Sequence, residues 1–134
     1  MAMNEVWRFK AHELIKKQST ELVQAMGGEI DITIDVGYPF VLNNEKLTSS
    51  AWLAAEEYAG KENVEQTELR MGAEDFAYYS HQIPACFYRL GVGNTSKGIT
   101  SGVHTPKFNI DESAIEKGMG VMAWLATSVA VSEI

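Results

Sequence analysis

Gly102-Val103-His104-Thr105-Pro106 sets an imidazole between a glycine and a proline. The residue before a proline is pushed to an extended conformation, here Thr105, so the loop is stiff on that side of His104 and free on the other. A histidine held this way can bind a metal, move a proton, or simply hydrogen-bond water in an exposed loop. Spacing alone leaves these readings open. Met71-Gly72-Ala73-Glu74-Asp75-Phe76 is the second candidate. Glu74 and Asp75 follow a glycine turn, near the start of a helical turn. Acidic residues suit that place because they complement the helix dipole. The alternative is a carboxylate facing a metal or a substrate amine. Adjacent residues point in different directions, so at most one of the pair faces a given site.

His81 and Cys86 act as ligands only if folding brings them to one pocket. No His-x-x-x-His, Cys-x-x-Cys or His-Glu-x-x-His spacing is present. Cys86, in "PACFYRL", reads as a small core residue. His81 sits in a polar turn and reads as exposed, and His12 reads as lying on a solvated helix face. There is no P-loop, no dinucleotide fingerprint and no Gly-x-Ser-x-Gly elbow. A catalytic zinc takes three protein ligands, and the chain offers one good candidate.

The elements that must position these residues are legible in part. Asn4 caps a helix with Glu5 in its first turn, and Trp7, Ala11, Leu14, Ile15, Leu22, Ala25 and Met26 recur at helical spacing until Gly27-Gly28 stops it. "EIDITIDV" alternates Ile30, Ile32, Ile34 and Val36 with polar residues, the period of a strand buried on one face and covered by the helix before it. Asn43 or Asn44 opens a second helix, with Leu47, Ala51, Ala54, Ala55 and Tyr58 inward and Gly60 at its end. "ACFYRLGVG" has no alternation and reads as a strand buried on both faces. "NTSKGITSG" reads as a mobile loop. Asn109 or Asp111 caps a last helix with Ile115, Met119, Met122, Ala126 and Val129 inward. Gly118 and Gly120 inside that helix cost roughly 1 kcal/mol each relative to alanine, tolerable where a neighbouring backbone packs closely.

The chain has 134 residues and a net charge of -7, which argues against a nucleic-acid partner. No apolar run of membrane-spanning length is present. Cys86 is the single cysteine, so no disulfide forms within the chain and a reducing cytoplasm is the easier setting. Two helices and two short strands after Asn44 make a sheet that barely suffices by itself. The chain therefore reads as a piece of something larger.

"MGAEDFAYY", "IPACFYRLGVG" and "GVHTPKFNIDESAIEKGMGVMAWLA", in this order and at these distances, resemble the C-terminal part of the metal-dependent aminoacylase–carboxypeptidase amidohydrolases, the group of hippurate hydrolases and auxin-conjugate amidohydrolases. The upstream stretch resembles the last helix and strand of their lid, or dimerisation, domain. The resemblance implies an α/β fold: residues 1–43 end an α+β lid domain, and residues 44–134 carry C-terminal helices and strands of a zinc-peptidase-like catalytic domain. It implies two divalent metal ions, zinc or manganese, in the complete enzyme, with His104 as the final ligand. Glu74 and Asp75 match an acidic pair near the family's active site, with no role assigned. The family's other ligands, its general-base glutamate and its lid histidine have no counterpart here. The expectation is an inactive segment of an enzyme that hydrolyses N-acyl amino acids or small peptides, with homodimer contacts through the lid region. The alternatives are a dimerisation module without activity, and a small metal-binding protein using His104, His81 and a carboxylate.

Overall fold

The computed structural model describes residues 4–131. The chain divides into two compact units: Met1–Leu42 with Glu68–Pro84, and Asn43–Thr67 with Ala85–Ile134.

In the first unit, α1 spans Glu5–Ala25. It starts where Asn4 Oδ1 accepts from the Trp7 amide at 2.9 Å and satisfies an amide that the helix itself leaves unpaired. It stops where Gly27 takes φ 80°. There the Gly28 and Gly27 amides donate back to the Val23 and Gln24 carbonyls at 3.0 and 2.9 Å, the pair of hydrogen bonds that closes a helix around a left-handed residue. A single helical turn, α3, spans Ala77–Ser80 and buries Ala77 and Ser80.

Between them runs a strap, residues 36–42, whose backbone is held by side chains where a sheet would use another strand. Arg8 Nη1 donates to the Val36 and Tyr38 carbonyls at 2.9 and 2.7 Å, while the same guanidinium pairs with Glu5. Glu5 Oε1 accepts from the Phe40 amide at 3.4 Å, and the Ser80 hydroxyl accepts from Leu42 at 3.0 Å. His81 Nε2 lies 2.8 Å from the Phe40 carbonyl, with its ring edge-on to Phe40. From Tyr38 onward the groups used belong to alternate residues, as on one edge of a strand.

In the second unit, α2 (Glu45–Ala59) packs against α4 (Ser113–Val131). Asn44 caps α2 and Gly60, at φ 89°, ends it. The Asn43 side chain donates to the Phe87 carbonyl and accepts from the Phe87 amide, at 3.0 and 2.7 Å. The neighbouring Asn44 amide donates to the Ala85 carbonyl at 2.8 Å. One asparagine side chain thus supplies Phe87 with the donor and acceptor that a neighbouring strand would give.

The α/β expectation is met only in its helices, and its sheet is not confirmed. Among the described residues there is no β-ladder, only an isolated antiparallel bridge between Asn94 and Ile99. A strand exists through its partner's hydrogen bonds, and neither "EIDITIDV" nor "ACFYRLGVG" finds one among these residues. The period of two survives only in its middle: Ile32 and Ile34 are half-buried while Asp31, Thr33 and Asp35 are exposed, but Ile30 and Val36 are exposed as well.

The face α4 covers also differs from expectation. Ala114 is buried and Gly118, Val121 and Leu125 are half-buried, while Ile115, Met119, Met122 and Ala126 stand exposed and only Val129 of the expected set is half-buried. The glycines explain the choice. A Cβ on Gly118 would come within 2.7 Å of Leu90 Cδ2, and one on Gly120 within 1.8 Å of the Tyr58 hydroxyl. Side chains, rather than the expected backbone, fill the space the glycines leave. A helix apolar all round belongs among neighbours on every side, so its pattern could not single out one face. In α1, Ala11 and Leu14 are half-buried as expected, joined by Arg8 and Val23, but Trp7, Ile15, Leu22 and Met26 are exposed.

Candidate functional site

His104 rides on a loop whose two ends are tied to one place. The chain before it, Asn94 to Ile99, is a tight turn and not the loose loop its composition suggested. Asn94 and Ile99 exchange backbone hydrogen bonds at 2.8 and 2.9 Å, around a single 3-10 turn, Thr95–Lys97, closed by Gly98 at φ 71°. After the loop, the Asp111 amide donates to the Val92 carbonyl at 2.8 Å. The Asp111 carboxylate, buried at 7% exposure, accepts from Lys97 Nζ at 2.8 Å, from Asn94 Nδ2, and from the Ser113 amide at 3.2 Å at the head of α4. These donors, Lys97 first, then Asn94 and Ser113, hold its carboxyl far below the usual carboxylate range.

Between these roots, Thr105 Oγ1 donates to the Gly102 carbonyl at 2.8 Å and the Phe108 amide to the Thr105 carbonyl at 3.1 Å. His104 takes φ 61°, the one non-glycine residue with positive φ among those described. Such a conformation is sparse for residues carrying a Cβ and is met most often by Asn, Asp and His. The imidazole is exposed and has no hydrogen-bond partner among the described residues. It is a donor held at a fixed point and left free.

Glu74 and Asp75 belong to the other unit. Glu74 is half-buried, and its Oε1 accepts from the Phe76 amide at 3.2 Å, so its carboxylate serves its own turn. Asp75 is exposed, and its carbonyl accepts from Tyr78 at 3.0 Å. His81 is exposed as expected but is engaged with Phe40. His12 is half-buried beside Phe9, off the solvated face expected for it. Cys86 is half-buried in the second unit near Tyr88, whose phenol is pushed up by burial and then by that thiol. From the sequence, Asp111 stands out only as a helix cap. Asn94 and Lys97 carried one signal, an Asn-x-x-Lys-Gly turn, and nothing local in it points to Asp111.

A family model described as Peptidase family M20/M25/M40 matches residues 4–128. The chain belongs to that family. Over 89 residues it is 36% identical to "IAA-amino acid hydrolase ILR1-like 6" of Arabidopsis thaliana, covering 66% of this chain and 19% of the plant protein. It is 29% identical over 118 residues to "Putative amidohydrolase YhaA" of Bacillus subtilis, 85% of this chain and 30% of that one. It is 28% identical over 127 residues to "Thermostable carboxypeptidase 2" of Saccharolobus solfataricus, 93% of this chain and 31% of the other. The chain thus spans less than a third of the length of these curated relatives. No solved structure matches it significantly.

M20-family hydrolases generally depend on metal ions, so the donor set here is the test. No three His, Cys, Asp or Glu side chains among the described residues gather where a metal could be held. The described residues do not make a complete metal site; the His104 imidazole among them is exposed and without a hydrogen-bond partner. No helix of the described chain is long and apolar enough to cross a membrane.

Proposed function

We propose that these residues supply the C-terminal part of a metal-dependent M20 amidohydrolase that cleaves the amide bond of N-acyl amino acids or small peptides, and that the 134-residue chain alone is inactive. His104 contributes one ligand to one of two divalent ions, zinc or manganese. When bound, such ions polarise the amide carbonyl and lower the pKa of a water. What this chain adds is an imidazole pre-set by its loop, whose ring needs no rearrangement of hydrogen bonds to reach a metal. The observation that carries the reading is that pairing: the M20 match over residues 4–128, and within it a free, exposed imidazole on a left-handed residue.

The experiment joins this chain to the preceding part of the Bacillus subtilis relative and assays hydrolysis of N-acyl amino acids with metal content. Turnover and bound metal are expected, both lost on His104→Ala, with no turnover by the chain alone. Hydrolysis by the isolated chain, or a chimera indifferent to His104→Ala, overturns the proposal.

A homodimer through the residue 1–43 region is proposed on the resemblance of that stretch to the family's lid. Sizing of the joined protein tests it, and a monomer at high concentration rejects it.

A further inference from the structure

We propose that Asp111 is a positioning residue for His104, acting through Asn94 and Lys97 to clamp the two roots of the loop that carries the imidazole. The inference rests on the reading of His104 as a ligand and adds what holds it in place. The loop between Ile99 and Asp111 is long enough to wander, and its own hydrogen bonds are the two around Gly102, Thr105 and Phe108 and the Asn109 Oδ1 contact with the Ile110 amide. Its entry is pinned because Ile99 is bridged to Asn94. Its exit is pinned because the Asp111 amide is bound to the Val92 carbonyl. Asp111 joins the two pins. One carboxylate oxygen takes Asn94 Nδ2, and the other takes Lys97 Nζ and the Ser113 amide.

Asn94 Oδ1 meanwhile accepts from the Lys97 amide and the Ser96 hydroxyl, so the turn is rigid where Asp111 grips it. The grip also reaches α4 through Ser113, which fixes the loop against the α2–α4 pair. A ligand among several must arrive at its place without further ordering, and partners outside the coordination sphere commonly change metal affinity by about 10- to 100-fold. The Asp111 carboxylate is spent on Asn94, Lys97 and Ser113. It limits where His104 can be.

Two measurements test this. In the 134-residue chain, nuclear magnetic resonance reads amide exchange at Ile99 and Phe108, and the amide–Hα coupling of His104, which reports its φ. Asp111→Ala is expected to speed exchange at both amides and average the His104 coupling, while the α2–α4 amides stay protected. If Asp111→Ala does not fold, Asn94→Ala and Lys97→Met are read in the same way. In the joined enzyme, Asp111→Ala is expected to weaken zinc binding about tenfold or more and to lower kcat with KM little changed.

The exchanged pair Asn94→Asp with Asp111→Asn reverses donor and acceptor across the Asn94–Asp111 contact, and is expected to restore zinc affinity above either single variant. Normal His104 coupling and zinc affinity in Asp111→Ala, or no rescue by the exchanged pair, overturns the inference. His104→Asn separates the two claims, because asparagine tolerates positive φ but brings no ring nitrogen. Unchanged zinc binding in His104→Asn overturns the ligand reading. Zinc lost there but untouched in Asp111→Ala overturns the clamp alone.

Discussion

The turn that carries Glu74 and the loop that carries His104 treat their polar side chains in opposite ways. Glu74 binds the Phe76 amide two residues on, and its neighbours Ser80 and His81 bind the backbone of the strap. Every polar group considered there, apart from the Asp75 carboxylate, is consumed in holding backbone. In the His104 loop the holding is done elsewhere, by Asp111, Asn94, Lys97 and Thr105, and the imidazole is left over. A candidate residue is therefore better judged by what its neighbours do for it than by its own type. Where the scaffold supplies the hydrogen bonds, a side chain is free for chemistry.

Several substitutions would break or sharpen that contrast. The largest effect is on metal binding. In the joined enzyme, His104→Ala should weaken zinc by more than the roughly 100-fold that loss of an outer partner brings, while Glu74→Ala should leave it unchanged in the same titration. A loss with Glu74→Ala would erase the distinction.

Next comes acid sensitivity of the clamp. The folded carboxyl of Asp111 sits below its unfolded value of about 3.9, so its contribution is complete above that value and lost as pH falls below it. The stability gap between the chain and Asp111→Asn, followed by urea unfolding, should be flat from about pH 5 upward and shrink below about pH 4. A gap that widens in acid would place the stabilisation elsewhere.

In the first unit, Ser80→Ala removes the acceptor of the Leu42 amide, and an amide left unpaired costs about 1–3 kcal/mol, measurable in the unfolding midpoint. Glu74→Ala loses the acceptor of the Phe76 amide, a hydrogen bond worth about 0.5–1.5 kcal/mol. His104→Gly is the smallest. Relief of a left-handed residue, worth about 1–2 kcal/mol, offsets the added chain freedom of glycine, about 0.5–1 kcal/mol. The midpoint should hold or rise slightly as the ligand disappears. A marked drop would show that the imidazole holds the fold.

What was legible follows the range of the forces involved. Asn4, Gly27, Asn44 and Gly60 mark helix ends because capping acts across a few residues. The period of Ile32 and Ile34 is visible for the same reason, yet no ladder forms, because pairing depends on residues far along a chain. Which face α4 turns to α2 was not legible, since both faces are apolar and the decision lies in how Tyr58 and Leu90 enter at Gly120 and Gly118. His104 stands out by its glycine and proline, but only the family resemblance favours it as a ligand. No local pattern announces its left-handed backbone, nor the ties from Asp111 back to Asn94, Lys97 and Val92, which reach across more than a dozen residues.

The positive φ of His104 has a consequence for how this position can vary over time. It is filtered twice, once by backbone and once by ligand chemistry. Glycine, asparagine and aspartate pass the first filter, and none of them brings a ring nitrogen. Drift released from selection for catalysis would move toward those three before reaching alanine or valine, so the loop would keep its shape after its chemistry had gone.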